Sequence, residues 1–226
     1  MSMCNRRAAL IRAASLLVVG LGSQRPALAG SFEDFFRALR QDDVFALRWL
    51  ELRGFDLNTR DQAGEPPLLI AIRAEAIQAA NWLAKQPGVD LDALNAKDEN
   101  ALMIAALRGQ PELLRLLIEQ GAEVNKPGWA PLHYAASHAG SAAAAMIELL
   151  LEHHAYIDAA SPNGSTPLMM AARYGDIRSL GLLLSSDADP TLQNEQGLTA
   201  LDFARAAGRR DAFERLERAI RHWPQD

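Results

Sequence analysis

A single cysteine occurs in the 226 residues, Cys4, and none follows it. A chain processed beyond that point has no disulfides and no thiol chemistry. Acidic residues are absent before Glu33, whereas Arg6, Arg7, Arg12 and Arg25 all precede it. Long hydrophobic runs are missing as well: "AASLLVVGLG" holds ten residues, about half of the roughly 20 that a bilayer-spanning helix needs. The signatures of common chemistries are also absent. There is no Gly-x-Ser-x-Gly elbow, no phosphate-cradling glycine motif and no His-Glu-x-x-His or His-x-x-x-His pair, which removes the usual hydrolase, nucleotide and zinc readings. The nearest lookalike, "GLGSQRPALAG", falls within the first thirty positions.

What is present at the start is a three-part pattern of basic residues, a short apolar run and "ALA" at Ala27 to Ala29. This layout predicts a secretory signal over residues 1–29, with cleavage before Gly30 and a periplasmic or secreted product without stable membrane insertion. Arg6-Arg7 leaves twin-arginine export open beside the general route, although "NRRAALIR" lacks the strong apolar pair of that motif. After position 29 there remain 19 basic and 28 acidic residues, a balance of −9. Phosphate binding needs a basic surface, so nucleic acid is not the expected partner, and anionic lipid is disfavoured.

The rest of the chain repeats itself. "EPPLLIAIRAE", "ENALMIAALRG", "WAPLHYAASHAG", "STPLMMAARYG" and "LTALDFARAAG" align on Leu68, Leu102, Leu132, Leu168 and Leu201, spaced by 34, 30, 36 and 33 residues. Each is followed by a second apolar segment, such as "PELLRLLIEQGAEVN" or "DIRSLGLLLSSDADP". The unit reads helix, turn, helix, loop. Thr166 can cap a helix whose first position is Pro167, where the missing N–H costs nothing. The pairs Ala105-Ala106, Ala135-Ala136 and Ala171-Ala172 allow close helix approach, and the leucine runs fill the space between units. Gly54, Gly88 and Gly121 stand where the chain should pass through a left-handed residue, with His154 and Asp187 in that slot in two later units. "NKPGWAP" is about three residues short and "SHAGSAAAAM" correspondingly long.

These motifs resemble the ankyrin-repeat family from about Ser31 to Ile220. The resemblance implies an all-α repeat solenoid of about five to six helix-turn-helix units with short β-turn fingers, filling residues 30–222. A capping unit is expected at 31–61, repeats at about 62–95, 96–126, 127–160 and 161–192, and a C-terminal cap at 193–222. His133 falls where the family favours a histidine that hydrogen-bonds between loops. His153, His154 and Asp158 form no closed ligand set, so neither metal nor other cofactor is expected.

In this family function lies in recognition, through loop tips and the inner helices of the concave face. The resemblance therefore implies a non-catalytic scaffold for another protein. It suggests two jobs, protection or anchoring of a stress-defence enzyme, or neutralisation of a toxic effector as an immunity protein. A hydrolase or metal enzyme built on the array is the alternative of another class. Carried onto this sequence, the protein-binding candidates are Arg60, Lys97, Asp98 and Glu99 at loop tips, with Trp129 on the shortened finger. On the inner helices they are Met103, Arg108, His138, Met169, Arg173 and Tyr174. Leu69, His133 and Asp202 belong to the same inner-helix set, and Asn163 and Gln196 to the loop tips. Met103 and Met169 have packing between repeats as their alternative role, and Trp129 has folding over its own finger. The groove is expected to open beside His138, Arg173 and Tyr174.

Overall fold

The computed structural model describes residues 25–224. The export segment expected over 1–29 lies outside the described residues as far as position 24. Among the described residues there are twelve helices, arranged in six pairs and joined without strands. The first pair is α1 (Arg25–Arg40) with α2 (Val44–Leu52), and the second is α3 (Pro67–Arg73) with α4 (Ile77–Ala84). Next come α5 (Ala101–Leu107) with α6 (Pro111–Glu119) and α7 (Pro131–Ser137) with α8 (Ala143–Glu152). The last two are α9 (Pro167–Arg173) with α10 (Ile177–Ser185) and α11 (Ala200–Ala206) with α12 (Arg210–His222). Odd-numbered helices stack on one another as an inner row and even-numbered ones as an outer row. The fold is an all-α repeat solenoid.

Local chemistry accounts for many of the starts and stops. Proline occupies the first turn of α3, α6, α7 and α9, where a backbone N–H has no helical partner to lose. Asn100 and Thr166 cap α5 and α9 by accepting the N–H of the residue three positions on, at 3.0 and 3.4 Å. Five of the inner helices, α3 to α11, have only seven residues each. Two turns are too short to persist alone in water, so these helices exist because they stack. The alanine pairs make this possible: Ala105, Ala106, Ala135, Ala136, Ala171 and Ala172 are fully buried. The left-handed slots are as expected, with φ of 80°, 83° and 96° at Gly54, Gly88 and Gly121, and 62° and 66° at His154 and Asp187.

A second periodicity ties unit to unit. Four residues beyond each of the first four left-handed residues stands an Asx side chain, at Asn58, Asp92, Asn125 and Asp158. Each accepts a backbone N–H from the equivalent loop of the next unit. The donors are Asp90 at 2.9 Å, Glu123 at 3.1 Å, Tyr156 at 2.9 Å and Asp189 at 3.2 Å. Burial pushes the carboxyls of Asp92 and Asp158 up, against the pull of those N–H bonds.

His133 performs the same service on the finger side. Fully buried, its Nδ1 accepts the Ala130 N–H at 3.2 Å and its Nε2 lies 3.0 Å from the Ser165 carbonyl of the next finger. That pairing requires a neutral ring with the proton on Nε2. Burial holds its pKa below the ordinary imidazole value, outweighing the backbone bonds that favour the charged form. The unfolded chain then binds the proton more readily than the folded one, so stability present above about pH 6.5 declines as pH falls below it. Wild type should lose denaturant resistance between about pH 7 and 5, and His133→Gln, less stable at pH 7, should show a flatter profile over that window. Parallel profiles for the two proteins would refute a neutral, proton-excluding His133.

Candidate functional site

Two positions in each unit line the concave side, the last residue of the finger and the residue five beyond the leucine anchor, although Glu99 and Ser165 are themselves buried. The first series runs Glu65, Glu99, Trp129, Ser165, Leu198, and the second Arg73, Leu107, Ser137, Arg173, Ala206. Most fingers are tight turns held by one side chain. Asp61 accepts the N–H groups of Ala63 and Glu65, both at 2.9 Å. Asn95 accepts those of Lys97 and Glu99 at 2.8 and 3.0 Å, and Asn194 those of Gln196 and Leu198, both at 3.0 Å. The shortened finger places Gly128 in the left-handed region at 76° and sets Trp129 where its neighbours carry Glu99 and Ser165. The indole packs edge-on against the His133 ring, 5.2 Å between centroids.

The two halves of the surface differ in chemistry. Toward the N-terminus, the Glu99 carboxylate accepts from Asn95 Nδ2 at 2.9 Å, from Tyr134 Oη at 3.1 Å and from the Arg73 guanidinium, which also reaches Glu65 at 3.0 Å. Toward the C-terminus the polar network gives way to a groove of about 300 Å³ walled by Trp129, Met170, Leu198 and Phe203, with Asn163 and Gln196 at its rim. Arg173 lies across it, its guanidinium 5.0 Å from the Tyr174 ring centre and 6.0 Å from that of Phe203. No carboxylate among the described residues pairs with it at ion-pair distance. Asp202 is already engaged, accepting from Thr199 N and Oγ1 at 3.0 and 2.8 Å and from Arg205 at 3.0 Å. The Thr199 backbone bond, followed by its hydroxyl, holds this carboxyl below the usual range.

Of the sequence-derived candidates, Trp129, Arg173 and Tyr174 come together in this groove, with Asn163, Gln196 and Asp202. Lys97 and Asp98 are exposed at a finger tip. Arg60 is also exposed but is committed to the Gly64 and Leu94 carbonyls at 2.9 and 2.6 Å, stitching two fingers together. Arg108 donates to the Arg73 carbonyl at 3.2 Å and pairs with Glu75 at 3.7 Å.

Four candidates require correction. Met103 and Met169 are 0% and 1% exposed and pack between units, so neither faces a partner. Their position, one beyond the anchor, is roofed by the neighbouring finger, as the bond from His133 to Ser165 shows. Glu99 is 9% exposed and is bound within the chain rather than presented at a tip. His138 stands apart from the groove, seated against Gly109 and Gly140, where an added Cβ would lie 2.6 Å from its Nε2. Met170, Phe203 and Leu198 are groove residues that the sequence reading missed. Their signal is the register itself: Met170 and Phe203 stand two beyond their anchors, and Leu198 is the last residue of its finger.

Stacked two-helix units with a concave face define a repeat-built scaffold. The family model for ankyrin repeats, in three copies, matches residues 35–127, 68–161 and 132–223. The chain belongs to the ankyrin-repeat family, whose repeats mediate protein–protein interaction. A nuclear factor NF-kappa-B subunit of Mus musculus is 33% identical over 155 residues, which cover 66% of this chain and 16% of that protein. This chain thus spans about a sixth of that relative. Among solved structures, one similar chain comes from the complex of a Bdellovibrio bacteriovorus predatory endopeptidase with an immunity protein. It is 28% identical with a TM-score of 0.69, covering 82% of this chain and 97% of that one. An ankyrin repeat domain from Acinetobacter baumannii is 25% identical at the same TM-score and coverage.

Proposed function

We propose that this protein is an exported, non-catalytic binder that neutralises a partner enzyme, in the manner of an immunity protein. The observation that carries the reading is the groove: Trp129, Met170, Leu198 and Phe203 among its walls, with the indole on a shortened finger, and Arg173 beside two aromatic rings with no carboxylate of the described residues at ion-pair distance. Such a surface fits a partner segment that presents an apolar side chain next to a carboxylate. The likeness to a chain of an endopeptidase–immunity complex supports neutralisation over protection of a stress-defence enzyme. Export rests on the N-terminal basic, apolar and "ALA" pattern. The acidic balance of the chain would speed encounter with a basic enzyme, while the groove selects what is held.

The test compares wild type with the triple variant Trp129→Ala, Arg173→Glu, Tyr174→Ala, after circular dichroism has shown both to be folded. Wild type should suppress a peptidase activity in periplasmic extract of the source organism and crosslink to the enzyme responsible. Loss of one aromatic or arginine anchor commonly costs about 2 kcal/mol, roughly thirtyfold in affinity, so the triple variant should lose both effects. Equal suppression and crosslinking by a folded triple variant would move the binding surface elsewhere. Absence of both with wild type would end the neutraliser reading.

A further inference from the structure

A stacked array has two ends, and each end unit needs a polar outer face to stay in water. The C-terminal end has one. Ala212 and Leu216 of α12 turn inward and are buried, while Arg210 and Glu214 pair at 2.7 Å on the outside. At the N-terminal end, Leu47 and Leu50 of α2 turn inward, but Phe45, Trp49 and Leu52 are 80%, 50% and 84% exposed. Their spacing, four and then three residues, puts all three on one helical face. Beside them α1 and α2 form a groove of about 440 Å³, floored by Ala38, Ala46 and Leu50 and edged by Asp34 and Arg37. An apolar face of this kind at the end of a solenoid marks an interaction surface.

The charges around it specify what covers it. Asp34, Arg37 and Asp43 line the groove, and Arg48, Glu51 and Arg53 lie on or just beyond α2, three of each sign. A face neutral overall, on a chain whose balance beyond position 29 is −9, is not built for the basic partner that the rest of the molecule would attract. It is built to complement itself. Asp43 stands at the start of α2 and Arg53 just past its end, each five residues from position 48, and the apolar trio is centred at the same place. Arg53 is also held over the patch, its guanidinium 4.4 Å from the Trp49 ring centre.

We propose that this end is a homodimer interface in which α2 packs antiparallel on α2 of a second copy about a two-fold axis near Trp49. Phe45 then meets Leu52 of the partner subunit, and Asp43 meets Arg53 of the partner subunit, with both pairs repeated by the symmetry that an isologous contact requires. A parallel arrangement would set like charges against each other. The concave groove faces another direction and is left free in both copies, so this inference does not depend on the binding function proposed for that groove.

Sedimentation equilibrium of the full chain between about 1 and 200 μM tests it. Wild type should associate to a dimer. Phe45→Glu with Leu52→Glu, at positions so exposed that the core is untouched, should be monomeric throughout with an unchanged circular dichroism spectrum. Arg53→Glu, which sets acid against Asp43, should raise the dissociation constant at least tenfold. In a Cys4→Ser background, a mixture of Asp43→Cys and Arg53→Cys proteins should form a disulfide between them faster than either protein alone. A monomeric wild type at every concentration would overturn the proposal, as would a dimer that survives the double glutamate change or disulfides that form only within each single-variant sample.

Discussion

Gly175→Ala should be among the most damaging single-methyl substitutions in this protein, lowering stability by about 3 kcal/mol. A Cβ at this position would stand 2.2 Å from the Ala136 carbonyl oxygen and 2.9 Å from Ala171 Cα. Both are backbone atoms, so no side chain can swing aside to relieve the clash, and α7 would have to move away from α9. That movement would also pull on the next unit. The Arg209 guanidinium donates to the carbonyls of Ala171, Ala172 and Gly175, so three successive units meet at this glycine. Gly208 is the natural control. It holds the matching place after α11 at φ 66°, and nothing lies within 4 Å of where its Cβ would be. Its substitution by alanine carries only the left-handed strain of about 1–2 kcal/mol. In the second unit Glu75 adopts φ 57° at that place, so a side chain is tolerated there. Urea denaturation of the two variants should therefore rank Gly175→Ala well below Gly208→Ala. Equal midpoints would mean that the contact between Gly175 and the Ala136 carbonyl yields without cost, and that space is not why the glycine stands there.

That contrast shows what the sequence can and cannot convey. Gly109, Gly175 and Gly208 look alike when the repeats are aligned, yet Gly208 serves a left-handed turn alone, Gly109 combines that turn with the contact against His138, and Gly175 serves a close approach of backbone to backbone. Periodicity, Thr-Pro starts, alanine pairs and left-handed slots were all legible because each stands at a fixed offset from the leucine anchor. His133 was legible for the same reason. The regular Asx series at Asn58, Asp92, Asn125 and Asp158 carries an equally clear signal, four residues after each of the first four terminators.

The candidate site was legible only in part. Trp129, Arg173 and Tyr174 are at positions that the register leaves open, and they do meet in one groove. Met103 and Met169 are not, because the finger of the adjacent unit covers the start of each inner helix. Whether a side chain points to water or to the next unit is settled by stacking, a relation between units about thirty residues apart. The apolar N-terminal end was hidden for a related reason: "VFALRWLEL" is an ordinary amphipathic segment until the structure places it in the first unit of the described residues with Phe45, Trp49 and Leu52 exposed.

Glu99→Ala should cost about 2 kcal/mol, and the loss should be shared with Arg73. The carboxylate sits at the junction of three units, accepting from Arg73 on α3, from Asn95 in its own finger and from Tyr134 on α7. Hydrogen bonds to a charged group contribute about 1.5–3 kcal/mol when one partner is removed, because the donors left behind stay desolvated. Arg73 retains Glu65 at 3.0 Å, and its own partial exposure to water limits the loss. Burial alone would raise the Glu99 pKa. The bonds from Asn95 and Tyr134 and the charge of Arg73 outweigh burial and hold it below the ordinary glutamate value. A carboxyl with a depressed folded-state pKa contributes stability that is present above the unfolded value, about 4.3, and declines as pH falls toward the folded one. This window lies below that of His133, so the two can be separated in one pH series. Tyr134 is pushed the opposite way, by its own burial first and then by the adjacent carboxylate, and keeps its proton as the donor. The decisive measurement is a double-mutant cycle with Glu99→Ala and Arg73→Ala. Glu99→Gln is added to keep the shape while removing the charge. A coupling of about 1 kcal/mol or more is expected at pH 7 and should shrink in acid, once the pH has fallen far enough below the ordinary glutamate value for the carboxyl to protonate. Strict additivity at pH 7 would mean that Glu99 and Arg73 merely lie side by side, and that the N-terminal half of the concave face is held by apolar stacking alone.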